Sequence, residues 1–415
     1  MAVLRPSQVG TGASSRRLSC GPVHLRTPLA LLLIAAAGLG GCSLGDDESK
    51  PAPLIPGPSS DDRDADDKLG FPSTATKNTI RVSGGDAAAD AAGVASAVFP
   101  GTSDTTRPTA VVLVEKDDWQ AGVTAAALTA TPIGAPLLVS DGDELSEISK
   151  DTLERLNPKG SDLSKDAQVI RIGDEPARPD GYKTAVIEGK DPYERAAAID
   201  RFFSAAKGKP SSSVVVASGE RAEFAMPAAA WAARSGDSVL LTRKDELPAE
   251  TRKALAEHEK PDIYVLGPAA VISEKVETDL KKLGKVVRIE GDTAVENAIA
   301  FARYDAGRSD FGWGIEVPGY NFTLANTARP LDAAASAALA TKGVFAPLLL
   351  TDTADAIPKP LEVYLLSVQP GYEDDPGQAV YNRVWILGDE TQVSVEAQAR
   401  LDQVTELIPV QANAP

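Results

Sequence analysis

The sequence predicts an α/β fold built from three tandem βαβ-type units, with parallel sheets covered by helices. Three observations support this prediction: short apolar runs rich in β-branched residues, Ala-rich segments of helical length between them, and three sequence blocks that recur in one order. Continuous apolar runs, rather than alternating ones, are typical of strands covered on both faces. Strands that alternate with helices in this way form right-handed βαβ units.

The predicted strands are short and apolar, and they lie at 110–114, 169–172, 214–217, 239–241, 263–266, 348–350 and 384–387. The predicted helices have helical length and composition, and they lie at 225–234, 250–257, 271–283 and 331–341. Ala-rich helices allow helix and sheet to approach closely. Each unit is therefore expected to bury its strands beneath small-residue helices.

The recurring blocks define the units. An opening block lies at 80–86, 186–191 and 287–292, and its glycines Gly85, Gly189 and Gly291 are 104 and 102 residues apart. A strand block follows at 134–140, 236–242 and 345–351, and a strand ending in Gly closes the unit at 169–173, 263–267 and 384–388. This spacing is domain-sized, so we expect units at 79–182, 183–285 and 286–410.

The N-terminal region is typical of an export signal. Residues 1–41 carry four arginines and no acidic residue, and the apolar run 29–39 is followed by Leu39-Gly40-Gly41-Cys42. That run is shorter than the roughly 20 residues that span a bilayer as a helix. The last four residues resemble the bacterial lipobox, which implies cleavage before Cys42 and a lipid on that residue. Residues 42–78 are rich in Pro, Asp, Ser and Gly, so a disordered tether is expected there.

Composition excludes several classes of function. Four of the 42 basic residues precede Cys42, which leaves 38 against 59 acidic residues and a net charge of −21 for the remainder. Such a surface repels nucleic acid, so no nucleic-acid partner is expected. Cys20 and His24 also lie in the signal, so neither an intramolecular disulfide nor a Cys/His zinc site is expected. Catalysis through histidine would need His258, which we expect to be a solvated helix-end residue.

The blocks resemble the cell wall-binding repeat 2 family, which occurs as tandem triplets in surface proteins of Gram-positive bacteria. The second unit carries the most family blocks, namely Asp191-Pro192-Tyr193-Glu194-Arg195, Val239-Leu240-Leu241-Thr242 and Ile263-Tyr264-Val265-Leu266-Gly267. The first and third units are more degenerate. They lack the Asp-Arg-Tyr opening, and the second Gly of the closing Gly-Gly is Asp174, Pro268 and Asp389 in the three units.

The resemblance implies three pseudo-symmetric units around a common axis. It also implies a non-catalytic module, without cofactor or metal, that faces the cell wall from the outer face of the membrane and binds a cell-wall polymer. The acidic position of the family motif corresponds to Asp332, to Glu223 and, in the first unit, to Asp118. An anionic polymer would require a local basic patch, and the candidates are Arg81, Arg171, Arg288 and Arg383. Salt bridging within the fold is the preferred role for these arginines.

Two other readings fit parts of the sequence. A solute-binding lipoprotein of a transport system would share the export signal, the lipid and the α/β units, but it normally needs two lobes around a cleft. The units could instead bind another envelope protein, because the chain has no second module for them to localise. A hydrolase remains open only through a pair of carboxylates. The oligomeric state is not predicted.

Overall fold

The computed structural model describes residues 74–410 except Ser83, Arg308 and Gly343. The predicted signal at 1–41, the lipidation site Cys42 and most of the predicted tether lie outside the described residues. The end of that tether belongs to the folded body. The strand β1 (Thr74–Ala75) pairs antiparallel with the next strand, and buried Asn78 donates from its backbone N–H to Asp402 Oδ1 at 2.7 Å.

Unit 1 follows the predicted order of strands and Ala-rich helices. Its elements are β2 (Thr79–Val82), α1 (Ala87–Val98), β3 (Val111–Glu115), α2 (Trp119–Ala125), β4 (Leu137–Ser140), α3 (Glu147–Leu156) and β5 (Val169–Ile172). The helix α2 continues as a 3-10 turn, Ala126–Thr129, and a second such turn spans Asp162–Ser164.

Unit 2 repeats this order and adds a helix after its last strand. Its elements are β6 (Thr184–Ile187), α4 (Pro192–Lys207), β7 (Ser213–Ser218), α5 (Ala222–Ser235), β8 (Ser238–Thr242), α6 (Ala249–Glu257), β9 (Asp262–Leu266) and α7 (Glu274–Leu280).

Unit 3 has the same order with longer connections. Its elements are β10 (Lys285–Ile289), α8 (Ala294–Arg303), β11 (Asn321–Asn326), α9 (Asp332–Ala335), β12 (Leu348–Thr351), α10 (Lys359–Ser367), β13 (Gly371–Tyr372), β14 (Arg383–Leu387), α11 (Val395–Val404) and β15 (Ile408–Pro409). 3-10 turns span Ser336–Ala340 and Pro376–Gln378. The connection 304–320 is an insertion, since units 1 and 2 use the connections 99–110 and 208–212 at this point.

The predicted α/β class with parallel sheets is confirmed, and each sheet spans two units. The strand orders are β4-β3-β5-β6, β8-β7-β9-β10 and β12-β11-β14-β2, with β1 added beside β2. The opening strand of each unit thus completes the sheet of the preceding unit. The strand β2 completes the sheet of unit 3, where Val82 pairs with Leu387. The strand β2 therefore closes the three units into a ring.

The helices α2, α5 and α9 pack against one another on the pseudo-threefold axis. Small residues permit this contact. A Cβ added to Gly122 on α2 would lie 2.6 Å from Leu331 Cδ1 and 2.9 Å from Ala334 Cβ. Residues Ala225–Ala233 of α5 are all buried, including Pro227 inside the helix. The alanines that favour helix formation in the sequence thus also bring the units together.

Candidate functional site

The carboxyl ends of the strands carry a glycine and a helix start in all three units. Gly84, Gly189 and Gly291 leave room for the following helix, because an added Cβ would lie 2.5, 2.5 and 2.4 Å from the backbone nitrogen six residues later. The position expected for Gly85 is therefore held by Gly84. The residues two positions after these glycines cap the helices: Asp86, Asp191 and Thr293. Side-chain caps satisfy backbone N–H groups at a helix start.

The residue six positions after each glycine faces the neighbouring unit. Between units 1 and 2 this residue is Arg195, whose Nη2 lies 2.7 Å from Asp118 Oδ2. The two side chains are only 17% and 14% exposed. Asp118 also caps α2 by accepting from Ala121 N at 2.9 Å. The predicted binding residue Asp118 thus joins two units.

Between units 3 and 1 the same two positions carry the opposite charges. Arg329 of unit 3 pairs with Asp90 of unit 1 and donates to Asp332 at 2.9 Å. Both carboxylates are fully buried. Burial raises the pKa of Asp332 to about 6, although the charge of Arg329 opposes the shift. Burial also raises the pKa of Asp90, which Arg329 lowers and the nearby Asp332 raises further.

The junction between units 2 and 3 lacks this ion pair among the described residues. Its buried position is held by Asn297, and neither polar atom of that side chain has a hydrogen-bond partner in the described chain. Arg221, which corresponds to Asp118 and Arg329, turns to the surface and pairs with Glu223 at 2.6 Å. Aromatic side chains of the two units do pack together in this junction, where the ring centroids of Trp231 and Phe301 lie 6.1 Å apart.

The three acidic candidates therefore occupy different positions. The three sheets can be aligned at the last paired residue of the strands β3, β7 and β11. These equivalent residues are Glu115, Ser218 and Asn326. Asp118 lies three residues beyond its aligned residue, Glu223 five and Asp332 six. Asp118 and Asp332 are partly or fully buried in junctions, and only Glu223 lies near the surface.

Three of the four candidate arginines are held by the fold itself. Arg81 is 3% exposed and donates to the backbone oxygens of Gly388, Asp389 and Val393 at 2.7 to 3.0 Å. Arg171 is 2% exposed and donates to Pro176 O at 2.6 Å.

Arg288 completes this group, since its Nη2 lies 2.7 Å from Glu277 Oε2. Arg383 is exposed and has no ion pair among the described residues. Arg81, Arg171 and Arg288 thus each have their own partners within the fold, and no contact between the four arginines joins them in the described chain.

The expectation that His258 is solvated is wrong. Its side chain is 1% exposed, and Nε2 lies 3.0 Å from both carboxylate oxygens of Asp200. Nδ1 lies 2.7 Å from Ser211 O. Ser238 donates to Asp200 rather than to the imidazole, so the serine and the histidine are not hydrogen-bonded to each other. The charged segment around His258 hid this burial, because the helix ends there and the imidazole turns inward.

A groove opens at the opposite ends of the strands, between units 2 and 3. Its volume is about 1510 Å³, and the insertion 304–320 forms part of its wall. Trp313 lies edge-on to buried Trp231, with ring centroids 5.4 Å apart. Arg234 lies over exposed Phe345 at 4.7 Å. The one sequence signal for this groove was the aromatic, Gly-rich insertion, which has no counterpart in the other units.

No group of three or more His, Cys, Asp or Glu side chains within the described ranges is placed to hold a metal ion. The helices of the described part include none that is long and apolar enough to cross a membrane.

Comparisons with known proteins identify the repeat. Residues 186–277 match the family Cell wall binding domain 2 (CWB2). A stretch of 202 residues is 26% identical to the amidase enhancer of Bacillus subtilis (strain 168). The aligned stretch covers 48% of this chain and 27% of the amidase enhancer.

Solved structures share the architecture. Cwp8 from Clostridium difficile has a TM-score of 0.60 at 20% identity, over 80% of this chain and 52% of that one. Cwp6 from Clostridium difficile has a TM-score of 0.60 at 20% identity, over 81% of this chain and 49% of the Cwp6 chain. This chain thus spans about a quarter of the amidase enhancer and about half of each Cwp chain. Residues 186–277, which match the family Cell wall binding domain 2 (CWB2), thus form most of unit 2 in a three-unit fold that resembles those of Cwp8 and Cwp6.

Proposed function

We propose that this protein is a non-catalytic lipoprotein of the cell envelope, which binds a cell-wall polymer through its three-unit body. The CWB2 match in unit 2 carries the proposal, because it lies inside a closed body with two further units of the same topology. In this proposal a lipid on Cys42 holds the chain at the outer face of the membrane of a Gram-positive cell. The segment from Ser43 to the start of β1 then lets the body reach into the wall.

The geometry around the one histidine beyond Cys42 supports a non-catalytic role. A general base must reach the proton of a substrate or nucleophile. The imidazole of His258 is enclosed between Asp200 and Ser211, and Ser238 contacts the carboxylate instead. The three sheets around one axis also differ from the two lobes expected of a solute-binding protein, so no observation favours that alternative.

Binding to the wall is tested with the chain from Ser43 to Pro415, which contains every described residue. We expect this protein to co-sediment with purified sacculi at low and at moderate salt. An unrelated protein of similar net charge is the control for trapping in the pellet. Recovery of the folded protein in the supernatant at both salt concentrations would contradict wall binding.

Lipid anchoring is tested separately in cells. We expect the full chain to fractionate with membranes and Cys42→Ala to be released into the medium. Equal membrane association of both forms would remove the lipid from the proposal and leave wall binding unaffected.

A partner protein is the second candidate, and one observation favours it. The aligned relative is named an amidase enhancer, a name that describes action on another protein. Cross-linking in cells, followed by purification of the chain, distinguishes the two. One stoichiometric protein partner with no affinity for sacculi would support this candidate.

A further inference from the structure

We propose that the groove between units 2 and 3 binds a sugar chain of low net charge, through stacking on Trp313, Tyr320 and Phe345. This inference rests on the proposed function, since it assigns the part of the body that contacts a wall polysaccharide. It concerns one groove in the molecule, because only unit 3 has the aromatic insertion 304–320.

The size of the groove favours a polymer segment over a small solute. Its volume of about 1510 Å³ exceeds the roughly 300–1,000 Å³ of pockets that enclose small ligands. The lining comes from two units, since Ser211 and Trp231 belong to unit 2, whereas Trp313 and Phe345 belong to unit 3. A chain of several sugar rings would therefore contact both units.

Aromatic side chains are exposed where a sugar ring would lie. Tyr320 is 38% exposed and Trp313 is half-buried. Phe345 is 45% exposed, although Arg234 covers one face of its ring. Flat aromatic faces pack against apolar faces of a ligand while the polar rims stay hydrated. Sugar rings have such C–H faces and peripheral hydroxyls. Leaving these aromatic faces in water has an unfavourable free energy that a stacked ligand would remove.

The loop that carries Trp313 is held in place before any ligand binds. Phe311 is buried and stacks on Tyr264, with ring centroids 3.4 Å apart and an interplanar angle of 2°. Gly314 donates to Tyr304 O at 2.9 Å, and Ile315 donates to Ala302 O at 3.0 Å. A preorganised site loses less conformational entropy on binding. The aromatic platform is therefore suited to recognition rather than only to packing.

The charges of the groove select against a polyanion. Its described lining residues include the carboxylates Asp237, Glu257, Glu259, Asp305 and Asp310, and the cations Lys207, Lys209 and Arg234. Carboxylates are thus in excess, in a protein whose net charge is −17. A polyanionic chain would be repelled over long range. An uncharged sugar chain avoids this repulsion and can accept and donate hydrogen bonds along both walls.

The test uses the chain from Ser43 to Pro415 and polysaccharide released from purified sacculi. Anion exchange splits that polysaccharide into an unretained neutral fraction and a retained polyanionic fraction. Affinity is measured by calorimetry and by tryptophan fluorescence. We expect the neutral fraction to bind and to change the fluorescence, and we expect Trp313→Ala to weaken binding about tenfold.

Three further variants separate stacking from folding. Trp313→Phe keeps a flat face, so it should bind within a few-fold of the natural protein while losing the fluorescence change. Tyr320→Ala removes an exposed ring and should weaken binding without changing the unfolding temperature. Trp119 lies on α2, away from the groove. Trp119→Phe should therefore change neither the affinity for the neutral fraction nor the fluorescence change on binding.

The outcomes distinguish this inference from the proposed function. If the natural protein fails to bind sacculi at all, the proposed function fails. If the natural protein binds sacculi, and if both Trp313→Ala and Tyr320→Ala bind as tightly as it does, only the groove assignment fails. Binding of the polyanionic fraction alone would also overturn the assignment.

Discussion

His258 couples the stability of unit 2 to pH. Its imidazole is buried beside Asp200, and the structure joins the end of α6 to α4 through this contact. Burial lowers the pKa of His258, but the hydrogen bond and the charge of Asp200 outweigh burial, so the pKa is raised above 6.5. The raised pKa means that folding favours the protonated imidazole. The stabilisation is complete below pH 6.5 and is lost as the pH rises through the raised pKa.

We therefore expect the free energy of unfolding, measured by urea denaturation, to fall as the pH rises above 6.5 and through the raised pKa of His258. His258→Gln should flatten this fall, because its amide does not titrate. It should also be less stable at pH 6.5, since Asp200 then loses its charged partner. An unchanged pH dependence in His258→Gln would contradict the coupling. The buried carboxyl Asp332 titrates lower, with its pKa raised to about 6, and is present in both proteins.

At the scale of helices and strands, the junction ion pairs determine which elements meet. The pair Asp118–Arg195 joins α2 to α4, and the pair Arg329–Asp90 joins the start of α9 to α1 with the charges exchanged. If the partners were exchanged, Asp118 would meet Asp90 and Arg329 would meet Arg195, so like charges would face each other. The exchange therefore favours the native pairing of units over incorrect ones.

A charge exchange at the first junction tests this. We expect Asp118→Arg to lower the free energy of unfolding by about 3 kcal/mol, because two guanidinium groups then share a largely buried site. Adding Arg195→Asp should restore most of that loss. About 1 kcal/mol should remain lost, since Asp118 also caps α2. Urea unfolding of the four proteins of the double-mutant cycle measures the coupling.

The exposed pair Glu147–Lys150 is the matched control for this experiment. Its side chains are 59% and 51% exposed, and exchanging its charges should change stability by less than about 1 kcal/mol. A double variant at the junction that is no more stable than Asp118→Arg alone would show that the pair does not determine the contact.

At the scale of the whole molecule, closure of the ring depends on β2, the opening strand of unit 1. The strand β2 pairs with β14, and Arg81 donates to three backbone oxygens beyond it. Without β2, the strand β14 becomes an exposed edge, and those buried oxygens lose their donor.

Two truncations test the closure. A chain that starts at Thr74 keeps β1 and β2, and we expect it to unfold at the temperature of the longer chain. A chain that starts after Val82 should lose several kcal/mol, which corresponds to a fall of about 10 °C or more in Tm. Calorimetry compares the two. Equal Tm values for both truncations would mean that the ring does not depend on β2.

Much of the architecture follows from local sequence patterns. The apolar runs at 110–114, 214–217 and 384–387 became buried strands, and the Ala-rich segments became the axial helices. The order of the units was also readable, because the blocks recur with domain-sized spacing. Apolar periodicity and turn glycines act over a few residues, so they are visible in the chain itself.

Residue roles at the junctions were not readable from the same patterns. Asp118, Glu223 and Asp332 all appeared to match one motif position, yet they lie at different levels beyond the strands. The burial of His258 was missed as well. Arg81 was expected to form a salt bridge within the fold, and it donates to backbone oxygens of the fold instead. Each of these depends on a partner from a distant segment: Arg195, Asp200 and the chain at 388–393.

The sequence by itself determined the α/β class, the three units and their order, because these depend on local patterns of apolar residues, alanine and glycine. Tertiary structure alone decided that β2 closes the ring, that the junction charges are exchanged and that the 304–320 insertion lines a groove. These features arise where segments far apart in the chain come together. Their pairing depends on burial and charge at a contact that no single segment contains.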